Sequence, residues 1–181
     1  MEWAKKVGVS KFILISTGEI YGQGRNLNET AALNPRNFYA NSKFQAELLT
    51  RFFRAFEIKI LRVFFPFGKG VDSYVNRLLT SIKTSAPVET EYGMISPTFC
   101  DDLTEPLIRL RDIKGNCTFN VGGRPTAIPE LILAAEKTVN KSGSKVKFGK
   151  VELTGDNQKA RSELGYQETL IETALTATLT G

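Results

Sequence analysis

Two short apolar runs, Lys11-Phe-Ile-Leu-Ile-Ser16 and Ile58-Lys-Ile-Leu-Arg-Val-Phe-Phe65, bracket a stretch of helical periodicity, and no other feature constrains the fold as tightly. Runs this short and this continuously apolar suit strands covered on both faces, as in parallel sheets. Between them, from about Phe38 to Phe56, the residues Phe44, Leu48, Phe52 and Ala55 mark one face of a helix. Strand, helix, strand in that order predicts a right-handed parallel crossover, and so an α/β fold.

The pattern continues in both directions. A helix over residues 1–8 closes at Gly8, and a polar connection from Gly18 to Asn37 is long enough to be a functional loop. A helix is expected over 73–85 and a strand over 87–92, then an apolar segment from Pro97 to Arg111 and a strand over 116–121 stopped by Gly122-Gly123. Pro129 opens a helix to Val139, a strand covers 145–151, Asp156 caps a helix over 157–164 that ends at Gly165, and a last helix covers 168–179. Asp101 and Asp102 read as a second helix-cap pair. Because the first strand follows a helix rather than another strand, the expected architecture is the later part of a larger doubly wound domain.

Composition narrows the function classes. The chain has no histidine, which removes histidine-based triads and speaks against a zinc hydrolase; no metal site is expected. Its net charge of +5 comes from scattered lysines and arginines, which suits anionic ligands such as nucleotides without marking a nucleic-acid surface. Cys100 and Cys117 show neither metal-ligand nor redox spacing and read as buried free thiols in a reducing cytoplasm. No segment approaches the ~18–20 apolar residues of a membrane span, and the opening residues lack the apolar core of a signal peptide.

Tyr39 and Lys43 carry the chemistry. Four residues apart in a helix, they project from one face, and an ammonium held there stabilises a tyrosinate against its ordinary pKa of about 10. A hydroxyl from Thr17, at the end of the first strand, can then share a substrate oxygen with Tyr39. That is a proton-transfer site for alcohol and ketone chemistry.

With these residues go further motifs in order. They are Ser16-Thr17-Gly18-Glu19-Ile20-Tyr21-Gly22, Tyr39-Ala-Asn-Ser-Lys43, Leu61-Arg62-Val63-Phe64-Phe65-Pro66-Phe67-Gly68, Pro97-Thr-Phe-Cys-Asp101-Asp102-Leu103, Phe119-Asn120-Val121-Gly122-Gly123, and the segment from Asp156 to Tyr166. Together they resemble the extended short-chain dehydrogenase/reductase family, the NAD-dependent epimerases and dehydratases of sugar nucleotides. The resemblance implies the C-terminal part of a Rossmann-type doubly wound domain with a small α/β substrate lobe. Residues 1–70 would be the Rossmann-type portion; 71–181 would be mostly substrate lobe, with segments returning to the Rossmann sheet.

It further implies that Tyr39 is the acid/base, that Lys43 lowers its pKa and binds the nicotinamide ribose, and that Thr17 orients the reacting oxygen. Ser16, Tyr39, Lys43, Phe64, Phe65 and Pro66 would border NAD or NADP, and a sugar-nucleotide-like molecule would be the substrate. A homodimer, a cytoplasmic location, and no nucleic-acid or membrane partner complete the expectation.

The chain departs from the family pattern at four places. Gly18 stands where dehydratases carry the first of two acids, which disfavours plain dehydration and makes Glu19 more a structural carboxylate than a base. Phe65 replaces a common asparagine. Ile95 falls where an arginine commonly clamps the nucleotide diphosphate, leaving Arg124 or Arg161 as other sources of charge. The Gly-rich strand-turn-helix that binds the pyrophosphate is not in the sequence, and Gly22-Gln-Gly24 and Gly68-Lys-Gly70 read as loops. The rival readings are an inactive truncated remnant, or a binding module that needs a separate amino-terminal half. A nucleotide-sensing regulator is a third, which the intact Tyr, Lys and Thr set argues against.

Overall fold

The computed structural model describes residues 1–180, beginning with α1 (Glu2–Lys6), β1 (Lys11–Thr17), a 3-10 turn (Gly18–Tyr21), β2 (Gly24–Leu27), α2 (Phe38–Thr50), β3 (Glu57–Val63) and β4 (Pro66–Phe67). Next come α3 (Tyr74–Thr84), β5 (Val88–Ile95), β6 (Thr98–Phe99), a second 3-10 turn (Cys100–Leu103), α4 (Thr104–Leu110) and β7 (Cys117–Val121). The chain continues with β8 (Thr126–Ala127), α5 (Ile128–Thr138), β9 (Val146–Gly155), α6 (Gln158–Leu164) and α7 (Ile171–Leu179).

The crossover forms as the apolar pattern dictates. β1 pairs in parallel with β3 from Lys11 opposite Glu57 to Thr17 opposite Val63, and β7 adds in parallel on the far side of β3. This gives a Rossmann-type sheet of order β1-β3-β7, with β1 at its edge among the described residues. Leu61, Val63, Phe119 and Val121 pack with Leu110 of α4 and with Ala160 and Leu164 of α6 to form one core. A second sheet of order β2-β9-β5-β8 belongs to a larger core that includes Leu78, Ile82, Ile95, Leu131 and Leu153.

Several boundaries differ from the sequence expectation. α2 stops at Thr50, because Thr50 turns its hydroxyl onto the Glu47 carbonyl and Phe53 N–H bonds the Thr50 carbonyl instead of continuing the helix. The connection from Gly18 to Asn37 is partly structured, since β2 pairs in parallel with β9. β9 runs on to Gly155, four residues past the expected end, and β5 runs on to Ile95. Asp102 caps no helix; its carboxylate accepts the Thr169 N–H at 2.9 Å and the Thr169 hydroxyl at 2.5 Å, tying the approach to α7. Both cysteines are half-buried rather than buried.

One buried network fixes α2 to the sheet. The Arg62 guanidinium donates to both Glu47 oxygens, Nε at 3.1 Å and Nη2 at 2.8 Å, and Nη1 donates to the Tyr21 hydroxyl at 2.7 Å. The Tyr21 hydroxyl in turn donates to Asn120 Oδ1 at 2.9 Å. Tyr39, Lys43 and Glu47 follow at four-residue intervals, so this pair orients the helix face that carries the two candidate catalytic residues.

Gly18 has a steric reason. Phe64 is wholly buried, stacked on Tyr21 with ring centroids 5.9 Å apart, and a Cβ at Gly18 would overlap its ring. The ring cannot retreat, because it also lies against Gly122 and Gly155. Gly18→Ala is therefore expected to cost about 1–3 kcal/mol of stability, as overpacking in a filled core does. Urea unfolding of the two proteins checks it.

Candidate functional site

Thr17 ends β1 and Phe65-Pro66 follow β3, so parallel pairing brings both strand ends together, the end of a parallel sheet where ligands bind. Asn37 then starts α2 beside them: its Oδ1 accepts the Ala40 N–H at 2.7 Å as an N-cap, and its Nδ2 donates to Glu19 Oε2 at 2.8 Å. The cap sets the first turn of α2, and with it Tyr39. The result is a cavity of about 660 Å³ whose lining includes Thr17, Glu19, Asn37, Tyr39, Phe65 and Pro66.

Thr17 is buried, and its Oγ1 accepts the Glu19 N–H at 3.2 Å, so its hydroxyl proton is turned toward the Tyr39 phenol. The Tyr39 side chain is half-exposed to this cavity. Burial pushes its pKa up and the Glu19 carboxylate adds to the rise, while the Thr17 hydroxyl pulls it back. The direction is opposite to the lowering expected from Lys43. The Lys43 ammonium sits 5.9 Å from the Tyr39 ring centroid and donates to the Ile15 carbonyl at 3.1 Å, so its charge is directed at the strand end rather than at the phenol oxygen. Ser16 is buried, and its Oγ has no hydrogen-bond partner.

The other expected site residues divide. Phe65 and Pro66 line the cavity with Thr17 and Tyr39; Ser16, Lys43 and Phe64 do not. Phe64 sits behind the site, its carbonyl accepting the Thr98 hydroxyl. Phe65 adopts φ 43°, a left-handed conformation that asparagine tolerates far better than phenylalanine. Its ring is held by Tyr92, edge-on at 4.9 Å, and by Tyr74 at 5.6 Å. Ile95 is wholly buried in the core. Arg124 pairs with Glu130 and Arg161 with Glu168, and neither lines this cavity.

The sequence reading missed Asn37, Asp72, Ser73, Tyr74, Arg77 and Tyr92, which complete the wall with Phe38. A signal existed for part of this set. Ser73 is an N-cap residue before a helical pattern, its Oγ accepting the Asn76 N–H at 3.2 Å, and Tyr74 and Arg77 share a helix face three residues apart.

A buried threonine hydroxyl and a tyrosine thus share one cavity at the end of a parallel sheet in a Rossmann-type fold. The model of the NAD dependent epimerase/dehydratase family matches residues 1–104, and the chain belongs to that family. Among solved structures it resembles UDP-glucuronic acid 4-epimerase from Bacillus cereus in complex with NAD, at 27% identity and TM-score 0.84 over 98% of this chain. UDP-glucose 4-epimerase from Thermotoga maritima, with UDP-glucose, shares the fold at 23% identity, TM-score 0.83 and 99% of this chain, which spans 65% of it. RMD from Pseudomonas aeruginosa, complexed with NADPH, does so at 21% identity, TM-score 0.84 and 99% of this chain, which spans 69% of it. The chain spans 62% of the length of the Bacillus cereus enzyme. No curated protein matches the chain in sequence.

The donor set fits one end of a nicotinamide dinucleotide. Ser16 offers a buried hydroxyl without a partner, Lys43 retains two unengaged N–H groups beyond the one on Ile15, and both stand at the strand end beside Tyr39. No helix among the described residues is long and apolar enough to cross a membrane.

Proposed function

We propose that this chain carries the proton-transfer site of an NAD(P)-dependent epimerase or reductase acting at a carbinol carbon of a sugar nucleotide or related hydroxylated compound. The observation that carries this reading is the shared cavity of the Tyr39 and Thr17 hydroxyls at the ends of β1 and α2. Bound nicotinamide would supply the hydride acceptor and a positive charge that favours the phenolate.

Tyr39 takes the proton of the substrate hydroxyl and returns it to the carbonyl oxygen in the reverse step. Thr17, whose hydroxyl faces the Tyr39 phenol, redirects its proton to the same oxygen and fixes its position. Lys43, anchored on the Ile15 carbonyl, would hold the cofactor ribose with its remaining N–H groups, together with Ser16. Phe65 and Pro66 would form the apolar border for the nicotinamide, and Phe64 backs them from the core. Burial favours the protonated phenol, and Glu19, held by Asn37, adds to that preference.

The assay is direct: incubate the protein with NAD or NADP and with UDP-glucuronic acid or UDP-glucose, and follow the 4-epimer and the reduced cofactor. Turnover is expected once a pyrophosphate-holding segment completes the site; its absence from the completed protein with every combination overturns the reading. A second test concerns Glu19. Its carboxylate raises the Tyr39 pKa, so Glu19→Gln lowers that pKa. A base works when deprotonated, so the rise of kcat/KM with pH is expected to move to lower pH in the variant; an unmoved profile contradicts the assignment.

One observation favours the reading as a module completed by another segment. β1 is the sheet edge, and Ile15 on it is 41% exposed, with Trp3 and Val7 exposed nearby in sequence. A strand laid along β1, from this polypeptide or another, would bring the pyrophosphate-holding turn to the Tyr39 side. Calorimetric titration with NAD separates the two: micromolar binding by these 181 residues alone rules the completed module out.

A further inference from the structure

The cavity shared by Tyr39 and Thr17 has one cationic residue in its lining, Arg77 of α3, and two carboxylates, Glu19 and Asp72. Glu19 is engaged by Asn37. Asp72 is engaged by Arg77 itself, Nη1 donating to Oδ1 at 3.0 Å. Both partners are open to water, the Arg77 side chain 66% and the Asp72 side chain 92% exposed. An ion pair this exposed contributes little, because water and salt screen it and two long side chains lose freedom to hold it. An anion entering the cavity can therefore displace Asp72 from Arg77 at small cost.

Among the described residues no other cation lines this cavity; Arg36, whose charge reaches Tyr92 of the wall, donates instead to Gln23 Oε1 at 2.8 Å. Position 95 is an isoleucine wholly inside the core. Arg124 lines a separate cleft of about 280 Å³ and is paired with Glu130. Arg161 is paired with Glu168 and lines neither cavity. Arg77 alone combines a guanidinium fork, free to present two parallel N–H groups, with a place in the wall of the reacting cavity.

Resting on the function proposed above, we infer that Arg77 reads the diphosphate of the substrate in place of the residue at position 95, and that Asp72 is its built-in competitor. The diphosphate takes the Nη1 donor from Asp72, and Asp72 turns to water. Phe65, Tyr74 and Tyr92 form the adjoining wall, rings 4.9 to 5.6 Å apart, and set the orientation from which the phosphates meet Arg77. Asp72 holds the affinity down, because its carboxylate both occupies and repels; selectivity for a polyanion over a neutral ligand is then set by two residues of opposite sign on one rim.

The test is calorimetric titration of the full chain with uridine diphosphate and, as the neutral control, uridine. Arg77→Gln is expected to weaken uridine diphosphate binding about tenfold, the scale of a lost charge-assisted hydrogen bond, and to leave uridine unchanged. Asp72→Asn is expected to do the opposite and tighten uridine diphosphate binding by about threefold, as removal of a weak exposed competitor should. Both side chains are exposed, so thermal unfolding should match the parent. A structural role for the pair would move both variants in the same direction, and that result overturns the inference. So does equal affinity across the three proteins, or no preference for uridine diphosphate over uridine. The reading of Tyr39 as acid/base fails separately, on turnover, since Tyr39→Phe is expected to leave uridine diphosphate binding intact.

Discussion

Arg62→Met is expected to lower the free energy of unfolding by about 3–5 kcal/mol, the largest effect on stability of any substitution considered. Arg62 and Glu47 are 6% and 5% exposed, and the fork of two hydrogen bonds at 3.1 and 2.8 Å is what compensates their removal from water. Burial disfavours the Arg62 cation, yet Glu47 and the Tyr21 hydroxyl together keep it protonated. Methionine fills much of the same volume but leaves Glu47 as a buried carboxylate without a counter-charge, and it removes the 2.7 Å donor to Tyr21. The double substitution Arg62→Met with Glu47→Leu is expected to recover most of the loss, because the stranded charge goes with its partner. Urea unfolding of the parent, the single and the double variants measures both outcomes. A double variant as unstable as the single one would show that the wider network through Tyr21 and Asn120, rather than the ion pair, holds α2 to the sheet.

Tyr39→Phe is expected to lower kcat by about 10²–10⁴-fold, the span that a positioned general acid or base contributes, with KM little changed. The ring stays and only the hydroxyl goes. Tyr39 is 50% exposed at the first turn of a helix whose cap is supplied by Asn37, so the variant is expected to fold as the parent does. Thr17 still orients the substrate oxygen in the variant, but no group takes its proton.

The strands and helices were legible wherever one physical signal dominated. β1 and β3 are continuous apolar runs, and their parallel pairing follows from the helix between them. α2 was read six residues too long because Phe52, Ala55 and Phe56 continue an apolar pattern; Phe52 in fact stands in solvent, and the backbone leaves the helix after Thr50. β2 was invisible, since Gly24-Arg-Asn-Leu27 has no strand pattern of its own and acquires its conformation from β9, more than a hundred residues away.

The candidate site was half legible. The four-residue spacing of Tyr39 and Lys43 and the placement of Thr17 follow from helix and sheet periodicity. The raised pKa of Tyr39 does not: it depends on burial and on Glu19 arriving from a 3-10 turn, a tertiary approach that local pattern does not encode. Gly18 stood out in the sequence as a missing carboxyl, and the fold gives the cause, since the Phe64 ring fills the space that any side chain there would need. Arg77 carried no sequence signal beyond its face of α3. Its meaning comes from the cavity.

The pH dependence of kcat/KM for UDP-sugar turnover by the parent and by Tyr39→Phe tests most directly whether Tyr39 moves the proton. Because its raised pKa makes deprotonation of Tyr39 an alkaline event, the parent rate is expected to climb with pH, and the residual rate of the phenylalanine variant is expected to lose that climb. A variant that keeps both the climb and the parent's rate would show that the proton is taken elsewhere.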